Sequence, residues 1–164
     1  MFLTCHTWYS FKYGTLSPEK LFAEANRHGV KKLVLTEINN TCSYIEMLRI
    51  CQENKNEHEL EIAVGVEFRK DNQFLYVLIA KNNEGFEAIN RFLSHCNNEQ
   101  QEFPQRAPQL ENAFCIYAWR QFPSEELKEN EYIGVRVGQL NRFAFDEGYK
   151  SFPNKYVVLH PITF

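Results

Sequence analysis

The sequence SPEKLFAEANRHGVKKLVLT, residues 17–36, predicts a helix followed by a buried strand. Ser17 is a favourable N-cap and Pro18 suits the first helical turn. The apolar residues that follow recur at helical spacing, and Gly29 stands where a left-handed C-terminal cap is expected. The run Leu33–Leu35 is continuously apolar, which is typical of a parallel strand buried on both faces.

Strand and helix signals alternate along the rest of the chain. Strands are predicted near 3–7, 32–38, 61–68, 73–80, 113–119, 132–137 and 156–159, and helices near 17–28, 42–54 and 84–95, with a short helix starting at Ser124. The polar turn at 69–73 is short enough to join the third and fourth strands as a hairpin. Repeated alternation with buried strands favours an α/β sheet or barrel.

Composition limits the class of protein. The length of 164 residues suits one domain, and 44% hydrophobic with 15% aromatic residues excludes a disordered chain. The net charge of −3 offers no basic surface that would hold nucleic acid by counterion release. Five cysteines without a Cys-x-x-Cys pair indicate reduced thiols, and no apolar run is long enough for a membrane span. We therefore expect a cytoplasmic protein that does not bind membranes.

Polar residues follow three predicted strands. They are the stretches Cys5–Thr7, Thr36–Asn40 and Gly65–Glu67. Sites of α/β enzymes lie at the carboxyl ends of parallel strands, so His6, Glu37 and Glu67 are candidate metal ligands at one barrel mouth. An imidazole with carboxylates suits Mn, Zn or Fe. Spacing alone does not distinguish a metal site from ordinary strand-end residues, because any α/β protein places some polar groups at strand ends.

The motifs add a resemblance to a known family. Residues 5–10 (CHTWYS), 35–40 (LTEINN), 65–67 (GVE) and 76–86 (YVLIAKNNEGF) resemble the polymerase and histidinol phosphatase (PHP) domain. More narrowly, they are similar to the PHP domain at the N-terminus of the bacterial DNA polymerase III alpha subunit. The resemblance implies a distorted seven-stranded (β/α) barrel with up to three metal ions at its mouth. We expect the barrel to be incomplete, with residues 1–164 forming the N-terminal portion of the domain and polymerase domains downstream.

The motifs depart from the family at metal-ligand positions. The family opens with His-x-His-Thr, where this chain has Thr4 and His6, and its Thr-Asp-His-Asn is replaced here by residues 36–39, TEIN. Ile38 thus replaces an imidazole, while the carboxylate of Gly-x-Glu is kept at Glu67. We expect a remnant site formed by His6, Glu37 and Glu67 that holds no metal or one divalent ion (Mn, Zn or Mg), with no catalytic residue in this chain. A hydrogen bond from His6 to Glu67 is the expected structural role of the pair.

Two functions follow from the resemblance. The first is a PHP domain of DNA polymerase III alpha whose metal site has degenerated and which supports the polymerase or docks partners. That reading implies DNA synthesis by the parent chain, contact with DNA through that chain, and other holoenzyme subunits as partners, including a proofreading exonuclease. The alternative is a free-standing, metal-dependent PHP phosphoesterase. Loss of imidazoles at Thr4 and Ile38 favours the first.

Overall fold

Strands and helices alternate as the apolar runs and caps predict. This computed structural model describes residues 2–162, with only the backbone described for Phe2, Pro161 and Ile162. The strands are β1 (Phe2–Cys5), β2 (Lys32–Ile38), β3 (Glu61–Lys70), β4 (Gln73–Ala80), β5 (Ala113–Ala118), β6 (Glu131–Val135), β7 (Tyr156–Val158) and β8 (Pro161–Ile162). The helices are α1 (Pro18–Arg27), α2 (Ser43–Glu53), α3 (Asn83–Asn98), α4 (Leu140–Phe143) and α5 (Glu147–Ser151), besides short 3-10 turns such as Ser124–Glu126.

The sheet has the strand order β7-β6-β5-β4-β3-β2-β1-β8. All pairs are parallel except those of β4, which forms the predicted hairpin with β3. Strands β7 and β8 lie at opposite ends of this order but are separated only by Leu159 and His160. Counted as one interrupted strand, they bring the sheet to seven strand positions, in agreement with the predicted distorted α/β barrel. The sheet is curled into a half-barrel, and the short segment Leu159–His160 connects the strands at its two ends.

Local sequence signals set the helix boundaries. The Ser17 hydroxyl accepts a hydrogen bond from the Lys20 amide, and Asn82 caps α3 in the same way through the Gly85 amide. Gly29 ends the α1 region with a φ of 63°, in the left-handed region that glycine adopts without strain. The two short helices α4 and α5 were not predicted, because four or five residues are too few to show helical periodicity.

Side chains of successive strand residues divide between two faces of the sheet. On the outer face, Leu33 and Leu35 pack against the apolar sides of α1 and α2. On the inner face, Val34 packs with residues of β4, β5 and the segment after β7, namely Val77, Ile79, Ile116 and Leu159. The interior of the curled sheet is therefore filled by apolar side chains, and the polar residues at the strand ends lie above this apolar core.

Candidate functional site

The three candidate ligands are all deeply buried: His6 follows β1, Glu37 lies near the end of β2, and Glu67 lies in β3 where its pairing with β2 ends. His6 is 2% exposed, Glu37 is 1% exposed and Glu67 is 3% exposed. A buried carboxylate without hydrogen-bond or charged partners is strongly unfavourable. The donors and cations around each carboxylate therefore indicate its role.

Strand register separates the two carboxylates. In the parallel pair of β2 and β3, Ile38 lies opposite Glu67, whereas Glu37 lies opposite Val66. Side chains of paired residues point to the same face, and alternate residues of one strand point to opposite faces. Glu37 therefore shares the outer face with Leu35, while Glu67 points into the interior. The structure brings His6 and Glu67 together, but Glu37 does not join them.

Glu37 is satisfied by uncharged donors. Its carboxylate accepts hydrogen bonds from the Thr7 hydroxyl at 2.5 Å, from the Ser43 hydroxyl at 2.6 Å, and from the Ser10 hydroxyl. The Thr7 amide adds a further bond of 3.1 Å. Among the described residues, no salt bridge involves Glu37. This carboxylate ties the chain leaving β1 to the start of α2, which is a structural role.

Glu67 is instead satisfied by a cation. The Arg69 Nε donates to Glu67 Oε1 at 2.5 Å, and Arg69 Nη2 contacts the same oxygen. His6 Nε2 lies 3.3 Å from the other oxygen, Oε2. Burial by itself would raise the pKa of Glu67, but His6 and Arg69 outweigh burial and hold that pKa below its usual range.

The contact between His6 and Glu67 differs from the expected hydrogen bond. The distance suits an ion pair, yet both ring nitrogens of His6 lack an aligned hydrogen-bond partner within the described part of the chain. The hydroxyl of Thr4 is also buried without such a partner there. Thr4 stands where the family motif has an imidazole, and its hydroxyl and the His6 ring are buried polar groups that lack aligned partners in the described part of the chain.

Sequence reasoning missed Arg69, and three contacts explain why it reaches Glu67. The Asn39 side chain accepts from the Arg69 amide and donates to the Arg69 carbonyl, both at 2.9 Å. Asn39 itself adopts a left-handed φ of 54°, and its amide donates to the Glu67 carbonyl at 3.0 Å. The Tyr13 ring lies 3.9 Å from the Arg69 Cζ, in cation–π geometry. An arginine beside a turn looks like a surface residue in sequence, but Tyr13 and Asn39 turn it inward.

The donor set does not fit the metal cluster that the family motif implies. Bound transition metals need several neutral imidazole or carboxylate donors arranged around one point. Thr4 and Ile38 supply none, Glu37 faces away, and one oxygen of Glu67 is engaged by a guanidinium. Residues 2–162 contain no group of three or more His, Cys, Asp or Glu side chains placed to hold an ion.

The loop after β1 forms an exposed aromatic surface beside this site. Trp8 is 55% exposed and Phe11 is 81% exposed. The loop is nevertheless held firmly, because the Trp8 amide bonds to the Leu16 carbonyl and the Gly14 amide bonds to the Ser10 carbonyl. A Cβ at Gly14 would lie 2.0 Å from the Thr7 carbonyl oxygen, so only glycine permits this close return of the chain.

Sequence comparison places the chain in a family. The PHP domain model matches residues 3–157, and the chain belongs to the PHP family. It is 30% identical over 146 residues to an error-prone DNA polymerase of Pseudomonas fluorescens, covering 84% of this chain and 13% of that protein. It is 32% identical over 93 residues to the DNA polymerase III subunit alpha of Mycoplasma genitalium, covering 56% of this chain and 10% of that protein. The chain thus spans only a small part of the length of these relatives.

Structural comparison supports the fold. An amidohydrolase from Chromobacterium violaceum, solved with bound sulfate and no metal, superposes with a TM-score of 0.53 at 11% identity. The superposition covers 98% of this chain and 87% of the other. At this identity the superposition shows a shared fold, and a fold does not define the function of its site. No helix within residues 2–162 is long and apolar enough to cross a membrane.

Proposed function

We propose that this chain belongs to the PHP domain at the N-terminus of a bacterial replicative or error-prone DNA polymerase of the III alpha type. Residues 1–164 form the N-terminal portion of that domain, and the polymerase domains lie downstream. Its role is to support the polymerase and dock partners in the cytoplasm, and its own metal site has degenerated. The similarity to two named polymerases supports the parent function.

The observation that best supports a degenerate metal site is the ion pair between Glu67 and Arg69. Glu67 is the one carboxylate of the family motif that points into the interior, and a guanidinium already neutralises it. A phosphoesterase needs that carboxylate for a metal that activates water. The structure around Glu67 therefore favours a support role over catalysis.

The parent function is tested with the full reading frame. If the frame encodes a polymerase, the full-length protein extends a primed DNA template with deoxynucleotides. Substitution of Glu67 by Gln leaves that extension rate within about twofold after correction for folded protein, because the PHP site takes no part in nucleotidyl transfer. A frame that ends near residue 164, or a full-length protein with no primer extension, overturns the proposal.

The docking role is assigned to the aromatic loop after β1. Large aromatic side chains that a fixed backbone presents at a surface are typical of binding hot spots. We propose that the partner is a proofreading exonuclease subunit of the same organism. Replacement of Phe11 by Ala should weaken that binding at least tenfold, whereas Phe145→Ala, at an equally exposed phenylalanine elsewhere, should leave it unchanged. Equal losses in both variants, or no binding by the wild type, contradict this assignment.

The alternative function is a free-standing metal-dependent phosphoesterase. One observation favours it, namely that the buried ring nitrogens of His6 lack an aligned hydrogen-bond partner among the described residues and are suited to a ligand. This reading predicts turnover of a simple phosphodiester such as bis-p-nitrophenyl phosphate in the presence of Mn²⁺, abolished by EDTA and by His6→Ala. The support role predicts no such turnover.

A further inference from the structure

We propose that the Arg69 guanidinium is the built-in counter-cation of Glu67 and that it excludes a divalent metal from the barrel mouth. This inference rests on the proposed function and gives the degenerate site a specific mechanism. Loss of imidazoles explains a weakened metal site, but it does not explain what replaces the positive charge. Arg69 supplies that charge.

Burial makes a counter-cation necessary. Glu67 lies at the top of an apolar interior and is 3% exposed, so its negative charge needs a compensating charge nearby. Arginine stays protonated at every relevant pH, which makes it a permanent cation at this position. The guanidinium directs both Nε and Nη2 to the same carboxylate oxygen.

The guanidinium is also fixed in place. Its side chain is 11% exposed, its backbone is hydrogen-bonded in both directions to Asn39, and its Cζ lies 3.9 Å from the Tyr13 ring centre. A flexible surface arginine would swing away when a metal approached. The Asn39 bonds fix the Arg69 backbone, and Tyr13 and Glu67 contact its guanidinium, so a divalent ion at Glu67 would meet a cation already in place.

The same geometry provides a direct test. Ile38 pairs with Glu67 in strand register and therefore faces the interior on the same side, so Ile38→His adds an imidazole next to His6 and Glu67. Co²⁺ is the probe, because its visible d–d absorption reports coordination by protein ligands. Two variants are compared, Ile38→His with Arg69 intact and Ile38→His combined with Arg69→Ser.

The exclusion mechanism predicts that the double variant binds one Co²⁺ at least tenfold more tightly than Ile38→His alone, with a visible spectrum that Ile38→His lacks. Ile38→His combined with Arg69→Gln is a second neutral variant that keeps a planar end group against Tyr13. The control, Ile38→His with Lys70→Ser, removes an exposed cation from the same turn and should not improve binding.

Equal Co²⁺ affinity with and without Arg69 overturns the inference. Failure of both neutral variants to fold even with Co²⁺ also overturns it, since a metal at Glu67 would then not substitute for the guanidinium. Tight Co²⁺ or Mn²⁺ binding by the unmodified chain is a different result. That result contradicts the degenerate site of the proposed function, whereas a metal-free wild type with equal variant affinities contradicts this inference alone.

Discussion

The two carboxylates Glu37 and Glu67 lie one register position apart on adjacent strands, yet they are stabilised in opposite ways. Glu37 faces the helices and is surrounded by hydroxyl and amide donors. Glu67 faces the barrel interior and is held by a guanidinium with an imidazole close by. Side-chain alternation alone separates them. The comparison shows that a motif carboxylate acquires its role from the face of the sheet it occupies.

The largest effect is expected at Glu37. Replacing Glu37 with Ala leaves several buried hydroxyl and amide donors without an acceptor, at about 1–3 kcal/mol for each group. We expect the free energy of unfolding to fall by about 3–5 kcal/mol, measured by urea denaturation. The control is Glu53→Ala on the exposed side of α2, which should change stability by less than about 0.5 kcal/mol. A loss below about 1 kcal/mol for Glu37→Ala would show that water accepts the hydrogen bonds in place of the carboxylate.

A smaller loss is expected at Arg69. Arg69→Gln removes the charge but keeps hydrogen-bonding capacity, and His6 still lies beside Glu67, so we expect a loss of about 2–3 kcal/mol. Lys70→Gln is the matched control, because Lys70 forms an exposed ion pair with Glu102 that contributes about 0–1 kcal/mol. Equal effects of the two substitutions would show that the Glu67 pair behaves as an ordinary surface pair.

The pH dependence of stability sharpens the same comparison. The folded-state pKa of Glu67 lies below the usual 4.5, so its contribution is present in full above that value and is lost as pH falls through the folded pKa. Urea denaturation between pH 7 and pH 3 should show this loss in the wild type. Arg69→Gln should lose the contribution at a higher pH, because one of the groups that lower the pKa is gone. Identical pH profiles would contradict the role of Arg69.

The smallest effect on stability is expected in the aromatic loop. Trp8 and Phe11 are exposed, so Trp8→Ala and Phe11→Ala should each leave the melting temperature within about 2 °C of the wild type, as expected for surface substitutions in a domain of this size. Differential scanning calorimetry checks this. A larger drop would mean that these rings stabilise the fold, and the docking role would lose its main support.

The fold was predictable because local and global signals agree. The capped helices α1 and α3, the continuous apolar run of β2 and the hairpin of β3 with β4 all follow from short stretches of sequence. The family motifs then supply the barrel. The region after α3 was harder to predict, because α4 and α5 are only four and five residues long and show no clear period.

The site was predictable only in part. His6 and Glu67 lie close together, as the motifs indicate, but the role of Arg69 depends on contacts with Tyr13 and Asn39 that are distant in sequence. Glu37 shows a second limit. Polar residues at the ends of adjacent strands can point to opposite faces of the sheet. The sequence does not reveal which face each residue occupies until the strand register is known.

Metal content of the wild-type chain tests the central claim most directly. The chain is purified without chelator, incubated with equimolar Mn²⁺ and Zn²⁺, passed over a desalting column and analysed by inductively coupled plasma mass spectrometry. A degenerate site closed by Arg69 predicts well under one metal ion per chain and no change in melting temperature on adding either ion. One or more retained ions per chain, with a raised melting temperature that EDTA reverses, would contradict it.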